Sequence, residues 1–514
     1  MNIDYPSVPT TDEAALRQNW LNILAKHKAT GINALFVQVR PCGDALYKSE
    51  LVPWSSYLTG RAGVAPNNDF DPLSFMIETA HQMGFEFHAW LNPYRTSMDN
   101  QTPNSFSENH VMRQHPEWCV KYGKRYILNP GLPDVRTHVL QVVEEIVRKY
   151  DVDGIHLDDY FYPYKIAGES FPDWQAFQQF NDGYTNIDDW RRYNVDMLIY
   201  GMAKGIKKIK PRVQFGVSPF GVWRNKSKDP EGSATQAGLT CYDDLYADVR
   251  KWCREKWIDY VVPQVYWQMG FAIAEHKTIV DWWSDNADGV PIYVGHGVYR
   301  LGQGSGREPA WSDRREIGRQ IINARNTQGV RGSVFFSSKQ LVANLLSIAD
   351  SLRENYYASP ALPPVIVRDT SFLQCDAPEI RQIMAENGSV RIRWQPSRAT
   401  EKRHPFQYVV YRFPMGRVDF TDGRNILALV PHDSQDLTWI DIDVQNEETY
   451  LYAVTVVDCN NEETPPTDLI AVNEAVTNDS ADTILTTQKS SMSKEKKKKR
   501  CGFFRRLFGK CDKG

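Results

Sequence analysis

The sequence predicts an α/β protein, a (β/α)8 barrel followed by a small all-β domain. Over residues 11–355, short apolar runs alternate with amphipathic helical stretches, and repeated β-then-α units form a parallel sheet with crossover helices. Eight helical patterns over this length are typical of a TIM barrel with enlarged loops. A doubly wound open sheet is the competing fold. It is disfavoured because no Gly-x-Gly-x-x-Gly turn follows any predicted strand.

Seven strands can be assigned to the predicted barrel. They are Leu35–Arg40, Phe85–Leu91, Gly154–Asp158, Val213–Ser218, Tyr260–Tyr266, Ile292–His296 and Gly332–Phe336. The helical patterns cover residues 12–29, 72–83, 133–149, 188–210, 241–257, 275–287, 311–328 and 338–354. Because a (β/α)8 barrel needs eight strands, strand 1 is missing from this chain on that count. We expect it upstream of the loop Asn2–Ser7, in a stretch that could equally hold a secretory signal, with residues 1–357 forming the rest of the barrel.

After Ser359 the pattern changes to short alternating strands. Three prolines between residues 360 and 364 mark a linker. The strands expected beyond it are Val390–Trp394, Tyr408–Phe413, Thr438–Ile442 and Tyr450–Val457. Turn signals separate them, as in an antiparallel β-sandwich of about 100 residues. Residues 358–473 resemble a fibronectin type III domain with Trp394 in its core, and residues 474–514 form a polar and then basic tail.

Charge is distributed unevenly along the chain. The net charge is −3, yet residues 491–514 hold ten lysines and arginines against two acids. The rest is therefore acidic, which argues against a nucleic-acid-binding protein. In the tail, residues 494–513, basic residues interleave with phenylalanines, a pattern that suits an anionic membrane surface. A solvated tail without a partner is the alternative.

The eight cysteines are scattered along the chain. They form no C-x2-C pair and no Cys/His cluster of the kind that holds zinc. The sequence therefore predicts neither a metal site nor another cofactor.

The segment Asp153–Tyr164 reads Asp-Gly-Ile-His-Leu-Asp-Asp-Tyr-Phe-Tyr-Pro-Tyr and carries the most chemical information. In a parallel barrel the C-terminal strand ends form the active face. Alternation along this strand points His156 and Asp158 into the barrel mouth. Aromatic rings stack on sugars and a carboxyl group protonates the leaving oxygen, so the segment indicates glycoside hydrolysis. Asp158 is the first candidate for the acid, and Asp159, past the strand end, is the second.

The other strand ends also carry polar and aromatic side chains. Asp44 is the preferred second carboxylate, and Asp4, Glu50, Asp69 and Asp71 remain open alternatives. The candidates for holding or stacking on a sugar are Gln38, Arg40, Tyr47, His88, Trp90, Asn92, Arg95, His156, Tyr160, Tyr162, Ser218, Arg224, Gln264, Tyr266 and Trp267. Each one alone is more often a core residue, but their concentration at successive strand ends argues for a binding cleft.

Six stretches together resemble the glycosyl-hydrolase-like 10 family, a group of bacterial glycoside hydrolases. They are Gln38–Glu50, His88–Arg95, Leu128–Gly131, Asp153–Pro163, Ser218–Arg224 and Pro263–Trp267. The resemblance implies a cell-envelope (β/α)8 enzyme that acts on peptidoglycan glycan strands, particularly strands stripped of stem peptides. Family members carry a further strand upstream of the first loop, usually behind a signal or lipoprotein peptide. The resemblance therefore implies the cell envelope or periplasm as the location.

We therefore expect an O-glycosyl hydrolase in which Asp158, or Asp159, is the general acid/base and Asp44 is its partner. The main rival is a non-catalytic glycan-binding protein that keeps the barrel as a scaffold. A lesser rival is a metal-dependent deacetylase in which His156 and Asp158 bind a metal ion, although no His/Asp cluster supports it.

Overall fold

A computed structural model describes residues 4–365, 376–386, 388–396, 405–432, 436–445, 448–458 and 460–473. The chain divides into two compact units, Met1–Ala358 and Ser359–Gly514. The predicted tail from residue 474 onward, including the basic segment 494–513, lies outside the described residues. Within the described ranges, no helix has the length and apolar composition needed to cross a bilayer.

The first unit is built on a parallel sheet. Its strands, in chain order, are β1 (Ala34–Arg40), β2 (Glu86–Leu91), β3 (Cys119–Tyr122), β4 (Arg125–Leu128), β5 (Gly154–Leu157), β6 (Gln214–Val217), β7 (Tyr260–Val261), β8 (Ile292–His296) and β9 (Val330–Phe335). β3 and β4 form a separate antiparallel hairpin, and the other seven lie in the order β1-β2-β5-β6-β7-β8-β9. This parallel sheet with its helices fits the predicted TIM-barrel fold class.

Helices follow the strands of this sheet. In chain order they are α1 (Glu13–Ala29), α2 (Ser56–Thr59), α3 (Pro72–Gln82), α4 (Val111–Gln114), α5 (Pro133–Lys149), α6 (Trp174–Phe180), α7 (Ile187–Ile209), α8 (Cys241–Asp244), α9 (Val249–Arg254), α10 (His276–Asn286), α11 (Glu316–Arg325), α12 (Ser338–Val342) and α13 (Ile348–Ser351). The side chains of Asp12, Asp71 and Asn186 accept backbone N–H bonds at the starts of α1, α3 and α7. These caps satisfy donors that a helix leaves unpaired at its first turn.

A polar layer fills the interior of the sheet. The Tyr260 hydroxyl lies 2.9 Å from His88 Nδ1 and 3.1 Å from His156 Nδ1. The layer explains two strand glycines, because a Cβ at Gly154 would lie 2.1 Å from His88 Nδ1 and one at Gly216 would lie 2.2 Å from the Tyr260 ring. Only glycine leaves room for these rings.

Most predicted elements of the first unit are present, with a few differences. The predicted helix 338–354 divides into α12 and α13, because Asn344, Leu346 and Ser347 have left-handed φ values of 52°, 49° and 60°. The predicted strand Tyr260–Tyr266 is only two residues long, because Pro263 has no N–H to donate to a ladder. The predicted helix 241–257 divides into α8 and α9 at Tyr246, whose φ of 54° is left-handed. The hairpin β3–β4 and helix α6 lie inside loops and were not predicted.

The second unit consists of two antiparallel sheets. Its strands are β10 (Glu379–Glu386), β11 (Ser389–Gln395), β12 (Pro405–Pro414), β13 (Ile426–Pro431), β14 (Thr438–Asp441), β15 (Thr449–Asp458) and β16 (Ile470–Asn473). They pair in the orders β10-β11-β14 and β13-β12-β15-β16. Both sheets contribute to one core, in which Trp394 is 3% exposed and meets the Tyr408 ring at 5.7 Å.

Candidate active site

Asp158 lies where β2 and β5 end side by side. The ladder between these strands continues to the last residue of each, so Asn92 and Asp158, which follow, are neighbours. The Asn92 side-chain amide and the Trp90 indole N–H each donate to Asp158 Oδ2 at 3.2 Å. The backbone N–H of Tyr160 donates to Asp158 Oδ1, also at 3.2 Å. Three N–H donors on two strand ends therefore fix the orientation of this carboxylate.

Asp159 is the second carboxyl group of the site, and it is 2% exposed. The Tyr164 hydroxyl donates to it, and the Gln264 amide forms a further hydrogen bond with it. Gln264 is itself anchored by donating to the Ser218 carbonyl at 2.7 Å. Burial, together with the negative charge of Asp158, raises the pKa of Asp159 to about 6 although both hydrogen bonds act in the opposite direction. Such a group holds a proton in mildly acidic solution and can transfer it to a leaving oxygen.

Aromatic rings line the approach to the two carboxyl groups. Tyr164 is 37% exposed and stacks on Tyr160 with ring centroids 5.3 Å apart. The ring of Phe220 meets Tyr164 edge-on at 6.5 Å, and half-buried Trp267 meets Phe220 at 5.4 Å. Because Tyr160 is already stacked on its neighbour, Tyr164 presents the more exposed face for a sugar.

Arg95 lies over the ring of Tyr160, with its guanidinium carbon 4.4 Å from the ring centroid. Its backbone N–H donates to Asn92 Oδ1 at 2.8 Å. Asn92 therefore uses its amide N–H on Asp158 and its amide oxygen on Arg95, which fixes the two side by side.

Gln38 and Arg40 stand behind this layer rather than in it. Arg40 is fully buried, and its Nη1 donates to the Asn92 carbonyl at 2.6 Å. Gln38 is 4% exposed. Arg40 thus supports the backbone that carries Asn92 and is not placed to touch a substrate.

His156 is also a supporting residue. Its Nδ1 lies 3.1 Å from the Tyr260 hydroxyl and its Nε2 lies 3.0 Å from Ser218 Oγ. Burial lowers the pKa of His156 well below its ordinary value. Because both ring nitrogens are engaged, His156 is not available to bind a metal ion with Asp158. Among the residues described, no group of three or more His, Cys, Asp or Glu side chains is placed to hold one.

Four predicted sugar contacts lie elsewhere in the fold. Tyr47 and Tyr162 are each 1% exposed, and His88 faces the interior layer, so none of their rings has a free face. The sequence prediction failed here because a strand-end tyrosine that fills the core looks the same as one that lines a cleft. Arg224 is ion-paired with two aspartates, at 2.8 and 2.9 Å. These pairs occupy its guanidinium and remove it from the candidate site.

Tyr266 lies close enough to Asp159 for the charge of that carboxyl group to act on its hydroxyl. Its pKa is raised well above the ordinary value, first by burial and then by the charge of Asp159. Its ring stacks on Phe336, with centroids 5.9 Å apart. Tyr266 therefore forms part of the wall behind Asp159.

Asp44 lines a pocket that also contains Tyr57, on which the charge of Arg95 acts. Its Oδ1 accepts the Cys42 backbone N–H at 3.0 Å, a hydrogen bond from Ser55 also reaches it, and burial raises its pKa. The pocket is lined by Cys42, Asp44, Pro53, Trp54, Ser56, Tyr57, Ala62, Gln101, Ser105, Phe106 and His110. The carboxylate charge that raises the pKa of Asp159 is that of Asp158. Asp159 is thus the carboxyl group whose pKa the charge of Asp158 raises, and the role of Asp44 as the partner of Asp158 stays a prediction.

The four alternative second carboxylates have other partners. Glu50 and Asp69 are exposed and form ion pairs with lysines. Asp71 caps the start of α3. Asp4 accepts a hydrogen bond from Ser337, just past the end of β9.

Two residues of the site were not among the predicted ones, Tyr164 and Phe220. Tyr164 is the last aromatic residue of the segment after the two acids. Its spacing of five residues from Asp159 does not indicate that the loop turns back and brings its hydroxyl to Asp159. Phe220 stands two positions after Ser218, so extending the strand alternation by one step would have indicated it.

Comparison with known proteins agrees with this geometry. The family model "Glycosyl hydrolase-like 10" matches residues 2–313. Glycosyl hydrolase YngK of Bacillus subtilis (strain 168) is 41% identical over 466 residues, 89% of this chain and 89% of YngK. Glycosyl hydrolase DigH of Escherichia coli (strain K12) is 38% identical over 327 residues, 60% of this chain and 73% of DigH.

A solved structure, the PgaB (BpsB) glycoside hydrolase domain from Bordetella bronchiseptica, is remotely similar. It shares 13% identity at a TM-score of 0.40 and covers 66% of this chain and 94% of that domain. The match of the family model and the identity to YngK show that the chain belongs to the Glycosyl hydrolase-like 10 family and is a glycoside hydrolase.

Proposed function

We propose that this enzyme cleaves the glycan strands of peptidoglycan in the cell envelope, with Asp159 as general acid and Asp158 as its ionised partner. The observation that carries the proposal is the pair of adjacent buried carboxyl groups, in which burial and the charge of Asp158 raise the pKa of Asp159 to about 6. Two carboxyl groups held in different environments are the usual basis for dividing acid and base roles in a glycosidase.

In the proposed reaction, Asp159 donates its proton to the glycosidic oxygen as the bond from that oxygen to the anomeric carbon breaks. The Asp158 carboxylate, fixed by Trp90 and Asn92, stabilises the positive charge that develops on the sugar ring. A water molecule then supplies its hydroxyl to the anomeric carbon, and the remaining water proton returns to Asp159. General acid–base catalysis of this kind contributes roughly 100- to 10,000-fold in rate.

A polymer substrate is favoured by the aromatic surface beside the acids. Tyr164, Phe220 and Trp267 follow one another at ring spacings of 6.5 and 5.4 Å. A series of rings suits a chain of sugars better than a single one, because each ring can cover the C–H face of a different residue. The choice of peptidoglycan within the polysaccharides rests on the family resemblance of the strand-end motifs.

We further infer that the second unit is a fibronectin type III-like module that acts as a spacer. The sheet orders β10-β11-β14 and β13-β12-β15-β16, with Trp394 between the sheets, support this inference. Contact of the basic tail, residues 494–513, with an anionic membrane remains a prediction from its composition.

The test is cleavage of purified glycan strands, with and without stem peptides, read by mass spectrometry. The wild-type protein is compared with Asp158→Asn, with Asp44→Asn, and with Asp69→Asn as a matched control on an exposed carboxylate. The proposal expects shortened strands from the wild type, Asp44→Asn and Asp69→Asn, and none from Asp158→Asn.

Cleavage that survives Asp158→Asn would remove the proposed carboxylate mechanism. Loss of cleavage in Asp44→Asn, with its fold intact, would restore Asp44 as the partner. An inactive wild type that still co-sediments with the strands would point to another glycan as the substrate of this hydrolase.

A further inference from the structure

The guanidinium of Arg95 lies over Tyr160, whose backbone N–H donates to Asp158, and is therefore next to the proposed acid pair. Arg95 is 4% exposed. Among the residues that the structure describes, no carboxylate lies within ion-pair distance of its guanidinium, and the guanidinium carbon lies 4.4 Å from the ring centroid of Tyr160. A guanidinium removed from water is normally paired, because an isolated buried charge is strongly unfavourable.

A second arginine, Arg125, allows a comparison with Arg95. Arg125 acts electrostatically on the same two tyrosines as Arg95, Tyr57 and Tyr160. Arg125, however, is ion-paired with Asp99. Of these two guanidinium groups, that of Arg125 is neutralised by Asp99, so that of Arg95 is the one that can pair with an anionic ligand.

The position of Arg95 is fixed relative to the acids. Its backbone N–H is held by the Asn92 amide oxygen at 2.8 Å, while the Asn92 amide N–H holds Asp158 at 3.2 Å. Tyr160, under the guanidinium, donates its own backbone N–H to Asp158. The guanidinium and the Asp158 carboxylate are therefore two fixed points of one rigid unit.

The surroundings of Arg95 continue into a cleft. Tyr57, on which its charge acts, lines the pocket beside Trp54 and Phe106. The N–H groups of a planar guanidinium lie in its own plane, where they can donate two parallel hydrogen bonds to a carboxylate.

We propose that Arg95 binds the carboxylate of an acidic sugar, the lactyl carboxylate of a muramic residue, in the subsite next to Asp158. This inference rests on the proposed function and adds a reason for the stripped-strand preference. In peptidoglycan that carries stem peptides, the lactyl group is linked to the peptide as an amide and has no charge. Only a stripped strand presents the anion that would pair with Arg95.

The test measures binding of a muramic-acid-containing disaccharide and of its carboxyl methyl ester by calorimetry. The full chain carries Asp158→Asn in every sample, so that turnover does not consume the ligand. In this background the acid is expected to bind at least 10-fold more tightly than the ester. Arg95→Gln should reduce that preference to less than twofold and leave the affinity for the ester unchanged within twofold.

Two further variants control this result. Arg125→Gln, the matched control, should keep the full preference for the acid. Arg95→Lys keeps the charge without the planar fork and should keep a preference of at least threefold. Thermal melting of each variant verifies that the fold is retained.

Three results would each overturn the proposal. They are an unchanged preference for the acid in Arg95→Gln, an equal loss of affinity for acid and ester in that variant, and no preference for the acid in the protein that carries Asp158→Asn alone. The results also separate failure of the proposed function from failure of the proposed role of Arg95. A preference that depends on Arg95, together with no cleavage of strands by the wild type, would overturn the function alone. Cleavage of strands without any acid preference would overturn the role of Arg95 alone.

Discussion

The Tyr164 hydroxyl donates a hydrogen bond to the Asp159 carboxyl group, five residues earlier in the same loop. This bond stabilises the ionised form of Asp159 and so lowers its pKa, against burial and the charge of Asp158, which raise it. Tyr164, together with Gln264, thus limits how far the pKa of the proposed acid rises.

Replacing Tyr164 by phenylalanine should move the alkaline limit of activity upward. Without the hydroxyl, the pKa of Asp159 rises above about 6, so that the proton needed for catalysis is retained to higher pH. We expect the alkaline limb of kcat/KM against pH to shift by roughly half a unit to one unit. Tyr193→Phe removes a similar hydroxyl from exposed Asp182 and should leave the profile unchanged. A downward shift in Tyr164→Phe would contradict this account.

Asp159 should destabilise the folded protein at alkaline pH. Its pKa is about 6 in the folded state against 3.8 for an unperturbed group, so the folded state binds the proton more tightly. The stabilisation from that proton is present below pH 3.8 and is lost as pH rises through about 6. The Asp159→Asn variant should therefore exceed the wild type in free energy of unfolding by roughly 2–3 kcal/mol at pH 8.

That advantage should shrink as the pH approaches 4, where the wild-type carboxyl group is protonated. Urea unfolding of the first unit at pH 8 and pH 5 checks the sign. Asp69→Asn, at an exposed position, is the control. A variant that is less stable than the wild type at pH 8 would show that the buried charge is not unfavourable there.

The interior layer should not tolerate a methyl group at Gly216. A Cβ at this position would lie 2.2 Å from the Tyr260 ring, which sits between neighbours in a packed strand layer. We expect Gly216→Ala to lower the free energy of unfolding by at least about 1–3 kcal/mol. At Gly238 a Cβ meets nothing within 4 Å, so Gly238→Ala should change stability by less than about 0.5 kcal/mol. Equal melting temperatures for the two variants would contradict this packing.

Part of the arrangement around Asp158 could be predicted from the sequence. Alternation along the strand placed Asp158 at the mouth, and the neighbouring Trp90 and Asn92 donate to it as their strand-end positions implied. Such predictions work because parallel strands bring their carboxyl ends to one edge, whatever the loops do.

The sequence could not predict which strand-end residue has already found a partner. Arg224 and Arg95 stand at similar positions after their strands, yet Arg224 is ion-paired with Asp229 and Asp243, and no carboxylate of the described residues pairs with Arg95. Likewise, Asp44 and Asp159 were both candidate carboxylates, and only the path of the loops separates them. Loop paths are set by long-range contacts, which local patterns do not contain.

The separate roles of Asp158 and Asp159 can be measured most directly with two substrates that differ in their leaving group. Asp158→Asn and Asp159→Asn are compared with the wild type on the glycan strand and on a nitrophenyl glycoside of the same sugar, whose leaving group needs no protonation. The account predicts that Asp159→Asn loses at least about 100-fold in kcat/KM on the strand but less than about 10-fold on the nitrophenyl substrate. Asp158→Asn should lose at least about 100-fold on both. Equal losses on both substrates for Asp159→Asn, or an active Asp158→Asn, would contradict it.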